Sequence, residues 1–451
     1  MTMTVLQRLD AFARHQKRQW VAEGRRFLKI RRHETGKVVD RVATHAAKDW
    51  SRRSRRVAHL AALWMPRLRR PFKIVAERLR NVPVVVFNVS RKAVMYAWAL
   101  RRPLMRWRSR RRRVQEKWSA LRSETRLEQE IERVADAGGP IVVGPWLSEV
   151  GYEALYWVPF VRWFCSTYRV KPDRLLVLTR GGAASWYADI TPNQTEIFDL
   201  VTPEQFAAYN ASRSESPGGT IKQLEMPAFE RDLVERARAG WGVPRAQVLH
   251  PSLMYRLFQQ FWAGNRPLSF LDEHTQYGLV APPAPESSPM PPLPKDYVAV
   301  KFYAAQSLQD TPETRRLLRE LLAGIAERHP IVLLDTGLAL DDHGDYGFAP
   351  GARIVSAREW MTPRNNLAVQ TRIIANATAF VGTCGSIAWL APMLGVTTMA
   401  VMTDVKFLNV HLHVARRVYR VLGAGRFTPF DLGALAPLGL GLSSARSAER
   451  V

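Results

Sequence analysis

The chain has 451 residues, of which 47% are hydrophobic, and its formal net charge is +26. This length allows two or three domains with ample apolar material for their cores. Its only two cysteines, Cys165 and Cys384, are far apart, which argues against a disulfide framework or a zinc site and fits a reducing compartment.

The positive charge is confined to the first 125 residues. Residues 1–125 hold 34 basic and 8 acidic side chains, whereas residues 126–451 hold 32 of each. Such asymmetry indicates a polyanionic partner for a basic, mostly helical N-terminal arm, and it leaves an electrically neutral body.

The least polar part of this arm is the segment from Val82 to Leu100. Trp98 lies in this segment and Trp107 follows it, both among arginines, a pattern that suits a helix in the headgroup region of an anionic membrane. Binding to nucleic acid and a solvated basic tail are the alternatives. There is no secretory signal and no apolar stretch of about 18 residues, so we expect a cytoplasmic protein, peripheral on the inner face of the cell membrane.

Apolar strands and helices alternate from residue 126 to residue 280, which indicates βαβ units and a mainly parallel sheet. The predicted elements are a helix at Arg126 to Ala135, a strand at Ile141 to Gly144, a helix at Leu155 to Trp163, a strand at Leu175 to Thr179, and helices near Phe229 to Ala239 and Leu253 to Ala263.

The proline-rich segment from Ala281 to Pro294 predicts an extended linker, taken as residues 281–295. Beyond it, residues 296–451 repeat the alternation. The predicted elements are strands at Tyr297 to Tyr303, Ile331 to Asp335, Arg353 to Ser356, Ala379 to Gly382 and Thr398 to Met402, and helices at Pro312 to Arg328, Asn366 to Ala375 and Ser386 to Leu394. The body is therefore expected to contain two Rossmann-like units facing across a cleft, the usual ligand site of open α/β sheets.

The loop after the first strand, Gly144 to Glu153, places two carboxylates at a strand-to-helix junction. Glu149 could take a proton from an attacking hydroxyl if burial raised its pKa. Helix capping is the alternative, with Ser148 as the N-cap and acidic residues at the positive helix end. Tyr152, in the same loop, is a candidate substrate contact.

Two cations lie near the carboxyl ends of predicted strands. Lys301 lies late in the first strand of the second unit, near Tyr303 and Gln306, where it would suit a diphosphate or form an ordinary salt bridge. Arg180 occupies the matching place in the first unit, before Gly181-Gly182, and could contact an acceptor or a phosphate, although a plain turn would look the same.

The loop after the strand at Ala379 to Gly382 is the most informative. Gly382, Thr383, Gly385 and Ser386 precede an apolar helix, so backbone N–H groups would be left for an anion, and the two hydroxyls could donate as well. Cys384 has no histidine near it in sequence and is interpreted as a packing residue.

The stretch FVGTCGSIAWLAPMLGVTTMAV, residues 380–401, resembles the C-terminal nucleotide-sugar loop of GT-B glycosyltransferases, and it is closest to the heptosyltransferase-like group. The chain departs from that group at Ile387 and Trp389, since a histidine is usual in this turn. The resemblance implies diphosphate binding at Gly382, Thr383, Gly385 and Ser386, a phosphate contact from Lys301, and an acceptor-side base at Glu149.

Together these features predict a metal-independent glycosyltransferase whose donor is a nucleotide-sugar, with no other cofactor. The acceptor would be lipid-linked or a cell-surface polysaccharide. A non-catalytic glycan- or nucleotide-binding scaffold at the membrane and a nucleic-acid-associated protein are the alternatives. The acidic run from Asp341 to Asp345 is interpreted as a solvated turn, and four scattered histidines are interpreted as structural: His250, His274, His411 and His413.

Overall fold

The computed structural model describes residues 122–215, 222–284, 292–338, 344–406, 408–423 and 425–434, together with residues 105, 109, 111, 112, 115 and 340. The predicted basic arm, including its Val82 to Leu100 segment, lies almost wholly outside these residues. The chain divides into two units, Met1–Arg113 and Val114–Val451, and both sheets belong to the second unit.

The first lobe is built on four parallel strands in the order β3-β2-β1-β4. They are β1 (Ile141–Val143), β2 (Leu175–Thr179), β3 (Gln194–Glu196) and β4 (Gln247–Leu249). The two central strands, β1 and β2, are buried at every residue. Their unbroken apolar sequences are those of parallel strands that helices cover on both faces.

In the described residues, six helices belong to this lobe. The first, α1, covers residues 122–136. Next, α2 is continuous and has three parts: an α-helical turn (Val150–Tyr152), a π-helical turn (Glu153–Trp157) and an α-helix (Val158–Thr167). The others are α3 (Pro203–Glu215), α4 (Ala228–Trp241), α5 (Pro251–Trp262) and α6 (Leu268–Asp272). Helix α1 packs through Leu127, Ile131 and Val134, whose spacing places them on one helical face.

The second lobe has six parallel strands in the order β10-β9-β8-β5-β6-β7. They are β5 (Val298–Lys301), β6 (Ile331–Leu333), β7 (Ile354–Ser356), β8 (Ala379–Thr383), β9 (Thr397–Met402) and β10 (Phe427–Asp431). The helices are α7 (Pro312–Ala326), α8 (Asn366–Ala375), α9 (Ile387–Leu390) and α10 (Asn409–Leu422). This is the doubly wound order, and its switch point lies between β5 and β8.

Residues of both lobes belong to one apolar core. It includes Trp146 and Trp157 of the first lobe as well as Phe380 and Trp389 of the second. The crevice beyond the carboxyl ends of β1, β5 and β8 is therefore bounded by two packed bodies in contact. Within the described part of the chain, no helix is both long and apolar enough to cross a membrane.

The predicted fold class, two parallel α/β units facing across a cleft, is confirmed. The predicted helix at Asn366 to Ala375 has the same bounds in the structure, but the helix after β1 begins at Val150 rather than Leu155. Patterning did not predict β3, β4, β10, α3, α6 or α10. The described parts of the predicted linker, 281–284 and 292–294, have no regular secondary structure.

Candidate active site between the two lobes

Two adjoining cavities open where the strand ends of the lobes face each other. The first has a volume of about 90 Å³ and is lined by Arg180 and Lys301 among others. The second is larger, at about 550 Å³. Glu149, Tyr303 and Ser386 line both cavities, so these three residues stand at their junction.

Glu149 reaches this junction because the loop after β1 ends in an extended residue. Its backbone (φ −61°, ψ 135°) forms the N-cap of α2, but its side chain makes no capping hydrogen bond. Its carbonyl oxygen accepts from the Trp146 indole N–H, at 3.2 Å. The predicted N-cap at Ser148 is wrong, because the Ser148 hydroxyl is instead hydrogen bonded to Tyr255, at 2.7 Å between oxygens. Capping therefore does not account for the Glu149 carboxylate, which is half-buried beside both cavities.

Glu153 lies one turn further along α2 and is fully buried. Its Oε1 accepts a hydrogen bond from the Tyr187 hydroxyl at 2.7 Å, and its Oε2 is 3.9 Å from Arg180 Nε. Burial raises the pKa of this carboxyl to about 7, although Arg180 and the Tyr187 hydrogen bond act in the opposite direction. Glu153 is thus an ion-pair partner of Arg180 and does not line either cavity.

Arg180 follows β2 and lines the first cavity. Its guanidinium also donates to the carbonyl oxygen of Ser148, the residue before Glu149. It is buried, with 6% of its surface exposed. The side chain therefore joins the ends of β1 and β2, and it brings positive charge to the cavity from the first lobe.

The Gly181-Gly182 turn connects the two lobes. Both glycines have positive φ, and their N–H groups donate to the carboxylate of Glu196 at 2.9 and 3.0 Å. The Gly181 carbonyl oxygen accepts from the N–H groups of Leu367 and Ala368 at the start of α8. The turn therefore caps a helix of the second lobe.

Lys301 is the last residue of β5 and lines the first cavity. Its ammonium group is 3.2 Å from Asp345 Oδ1 and donates to the carbonyl oxygen of Leu334 at 3.0 Å. The side chain is 11% exposed. A salt bridge is thus present, and it fixes the lysine at the wall of the cavity.

The four predicted residues of the β8 loop have different surroundings. Gly382 lies within β8, where a Cβ would stand 2.6 Å from the Lys301 carbonyl oxygen. Thr383 is buried, and its hydroxyl both donates to the Tyr303 carbonyl and accepts from the Tyr303 N–H, each at 2.9 Å. The Thr383 hydroxyl is therefore occupied in joining β8 to the chain after β5. Only Gly385 and Ser386 line a cavity.

The helix after this loop is shorter than predicted, since α9 has four residues and continues as a 3-10 turn, Ala391–Leu394. What the loop presents is backbone: none of the hydrogen bonds within the described residues uses the N–H of Gly385, Ser386 or Ile387. Gly385 (φ 138°) and Ser386 (φ 40°) have unusual conformations, and such consecutive N–H groups can bind an anion.

Cys384 is no nucleophile in this arrangement. It is 1% exposed, and burial raises the pKa of its thiol to about 12. A buried thiol of that pKa remains protonated at neutral pH. The interpretation of Cys384 as a packing residue is consistent with this environment.

Tyr152 lines the second cavity together with Tyr156 and His411, two residues that the sequence did not single out as site residues. The Tyr152 hydroxyl is 2.9 Å from His411 Nε2, and the Tyr156 hydroxyl is 2.6 Å from His411 Nδ1. Burial and the nearby charge of Lys222 lower the pKa of His411 to about 4, so the imidazole is neutral at pH 7. No sequence pattern links His411 to the tyrosines, because 255 residues separate it from Tyr156.

The described residues contain no cluster of side chains that could hold a metal ion. Residues 341–343 of the acidic run lie outside the described part. Asp345 is engaged within the protein, since its carboxylate accepts from the Thr336 N–H at 2.7 Å and pairs with Lys301.

Neither a family model nor a curated protein sequence matches this chain. Among solved structures it is similar to the glycosyltransferase SnogD from Streptomyces nogalater, with 14% identity, a TM-score of 0.32, and 68% of this chain and 91% of SnogD covered. It is also similar to the E. coli heptosyltransferase WaaC with ADP, at 13% identity and a TM-score of 0.32, covering 66% and 98% of the two chains. A third similar structure is that of E. coli ADP-heptose LPS heptosyltransferase II, with 11% identity and a TM-score of 0.30. The match covers 58% of this chain and 84% of that one. These scores are low, and the two-lobe fold is defined by this chain's own strand order.

Proposed function

We propose that this protein is a glycosyltransferase that moves a sugar from a nucleotide-sugar donor to an acceptor hydroxyl. The observation that carries the proposal is the position of Glu149 at the junction of two cavities. On one side are the cations Arg180 and Lys301, and beside it is the loop of Gly385 and Ser386. A carboxylate, a phosphate-binding surface and room for a second substrate are what such a transfer requires.

In the proposed reaction the donor diphosphate lies against the loop N–H groups and the Lys301 ammonium. Glu149 accepts the proton of the acceptor hydroxyl while that oxygen forms a bond to the anomeric carbon. The bond from the anomeric carbon to the diphosphate oxygen breaks at the same time. The negative charge that develops on the leaving diphosphate is stabilised by the N–H groups and cations already fixed around it. We propose that these groups act without a metal ion.

Calorimetric titration with nucleoside diphosphates tests the donor half of this proposal. We expect wild-type protein to bind at least one of ADP, GDP, UDP and CDP. Lys301→Met should weaken that binding by about tenfold or more, the usual effect of losing a charged hydrogen bond, and Ser386→Ala should weaken it less. Lys171→Met, at an exposed lysine on the surface, is the matched control. Failure of wild-type protein to bind any of the four would contradict the proposal.

We also propose that the reaction occurs at the cytoplasmic face of the cell membrane, on a lipid-linked or polysaccharide acceptor. The basic composition of residues 1–125 supports this, since each basic residue near an anionic surface contributes about 1 kcal/mol. Binding of the full chain to anionic vesicles should exceed its binding to duplex DNA or RNA at the same salt concentration, and it should fall as salt rises. Stronger binding to nucleic acid would favour the alternative partner.

A further inference from the structure

The second cavity has walls suited to the flat face of a ring. Tyr152, Tyr156 and Trp389 line it, and the rings of Tyr152 and Tyr156 lie 5.4 Å apart between centroids. Their edges are fixed, because one neutral imidazole, His411, is hydrogen bonded to both hydroxyls. The aromatic wall is therefore already formed before any ligand enters, which reduces the entropy lost on binding.

Polar groups interrupt these walls at several points. Gln306 and Ser386 line the same cavity and offer an amide and a hydroxyl group to a ligand, whereas the Ser307 hydroxyl donates to the Cys384 carbonyl oxygen at 3.4 Å. The lining of the cavity is more polar than apolar, and its volume of about 550 Å³ is within the usual range for a small-molecule site. Aromatic faces with hydrogen-bonding groups around them fit a sugar ring, whose C–H faces are apolar and whose edge carries hydroxyls.

The charges in this cavity differ from those in the first. Among the described residues that line it, Lys222 carries the only positive charge, since His411 is neutral, and Glu149 carries the only negative one. The Lys222 ammonium lies over the Tyr152 ring, 4.9 Å from its centroid, and 5.9 Å from that of Trp262. A cation held at an aromatic wall favours a ligand with a negative group beside its ring.

We propose that this cavity is the acceptor subsite and that it selects a saccharide carrying a carboxylate or a phosphate. The sugar ring lies against Tyr152 and Trp389, its anionic group faces Lys222, and a hydroxyl faces Glu149. The assignment of this cavity to the acceptor rests on the proposed function. The selection for an anionic sugar is a binding property that can be measured without turnover.

The test compares binding of glucuronate, glucose 1-phosphate and neutral glucose to the full chain by ligand-observed NMR titration. We expect wild-type protein to bind at least one anionic sugar about tenfold or more tightly than glucose, as a charge-assisted contact implies. Lys222→Met should reduce this preference to about twofold or less, whereas Lys222→Arg and the surface control Lys171→Met should retain it. Comparing the affinities for glucuronate and for glucose 1-phosphate shows whether a carboxylate or a phosphate is preferred.

Several outcomes would overturn the inference: no preference in wild-type protein, a preference that survives Lys222→Met, or displacement of the anionic sugar by a nucleoside diphosphate at its own binding constant. The last result would place the donor, rather than the acceptor, in this cavity. Nucleotide binding without a preference for anionic sugars would remove this inference and leave the proposed function. A preference for anionic sugars without binding of any nucleoside diphosphate would remove the proposed function and leave the anionic-sugar site.

Discussion

Gly151 of the first lobe lies against Ser386 of the second so closely that a Cβ on Gly151 would stand 2.6 Å from the Ser386 amide nitrogen. The same Cβ would be 2.6 Å from the Trp389 ring. The loop that holds Glu149 and the loop that presents unused N–H groups are therefore in direct contact. The φ of Gly151 is not positive, so its backbone conformation does not require glycine. The close approach of the Ser386 loop does.

We expect Gly151→Ala to separate the two loops. An added methyl group in a packed contact costs about 1–3 kcal/mol of unfolding free energy, and nucleotide binding should weaken because the Ser386 loop must shift. Gly240→Ala in helix α4, where nothing lies within 4 Å of the added Cβ, is the matched control. It should stabilise the protein by about 0.5–1 kcal/mol. Equal effects of the two substitutions in chemical denaturation would contradict the contact.

Thr383→Val tests the structural role of the Thr383 hydroxyl. The valine keeps the shape but leaves the Tyr303 N–H and carbonyl oxygen without this buried partner, so we expect a loss of about 1–3 kcal/mol of unfolding free energy. Thr428→Val, at an exposed threonine of strand β10, should change stability by less than about 0.5 kcal/mol. A Thr383→Val protein as stable as wild type would show that the hydroxyl does not join β8 to the chain after β5.

The buried carboxyl of Glu153 should make stability depend on pH. Its pKa in the folded protein, about 7, is above its ordinary value of 4.5, so its ionisation opposes folding increasingly as pH rises from about 4.5 to about 7. Glu153→Gln, which imitates the neutral acid, should therefore gain stability relative to wild type across that window, by up to about 3 kcal/mol. Glu196, whose pKa is also raised to about 7, is present in both proteins, so its contribution cancels in the stability difference between them. A difference between the two proteins that does not change with pH would contradict this assignment.

Both cysteines should react slowly with alkylating agents in the native protein. Burial raises the pKa of Cys384 and of Cys165 to about 12 in each case, so little thiolate exists at pH 8. Mass spectrometry after iodoacetamide treatment should find both thiols intact at times when unfolded protein is fully labelled. Rapid labelling of native Cys384 would show that this part of the β8 loop opens.

Sequence patterning predicted the central strands well, because parallel strands covered on both faces are unbroken apolar runs. Strands β3 and β10 were not predicted, since Gln194–Glu196 and Phe427–Asp431 contain polar or exposed residues at the sheet edges. The start of α2 was placed too late because Glu149 caps it through its backbone, without the side-chain signal that usually marks a helix start.

The strand-end rule led to Glu149, Arg180, Lys301 and Ser386, all of which line the cavities. It could not show that the Thr383 hydroxyl is occupied, because its partner Tyr303 is 80 residues away in sequence. Lys222 and His411 were missed for the same reason: each joins the site only through the folded contact with Tyr152.

The central claim is that Glu149 is the base of a sugar transfer, and Glu149→Gln tests it most directly. The measurement is the rate of nucleoside diphosphate release from a panel of nucleotide-sugars in the presence of acceptor saccharides, with Glu235→Gln on the exposed face of α4 as control. We expect Glu149→Gln to lower the rate by about 100-fold or more, while the affinity for nucleoside diphosphate stays within about twofold. An unchanged rate in Glu149→Gln would contradict this role, and intact nucleotide binding with no transfer by wild-type protein would favour a non-catalytic scaffold.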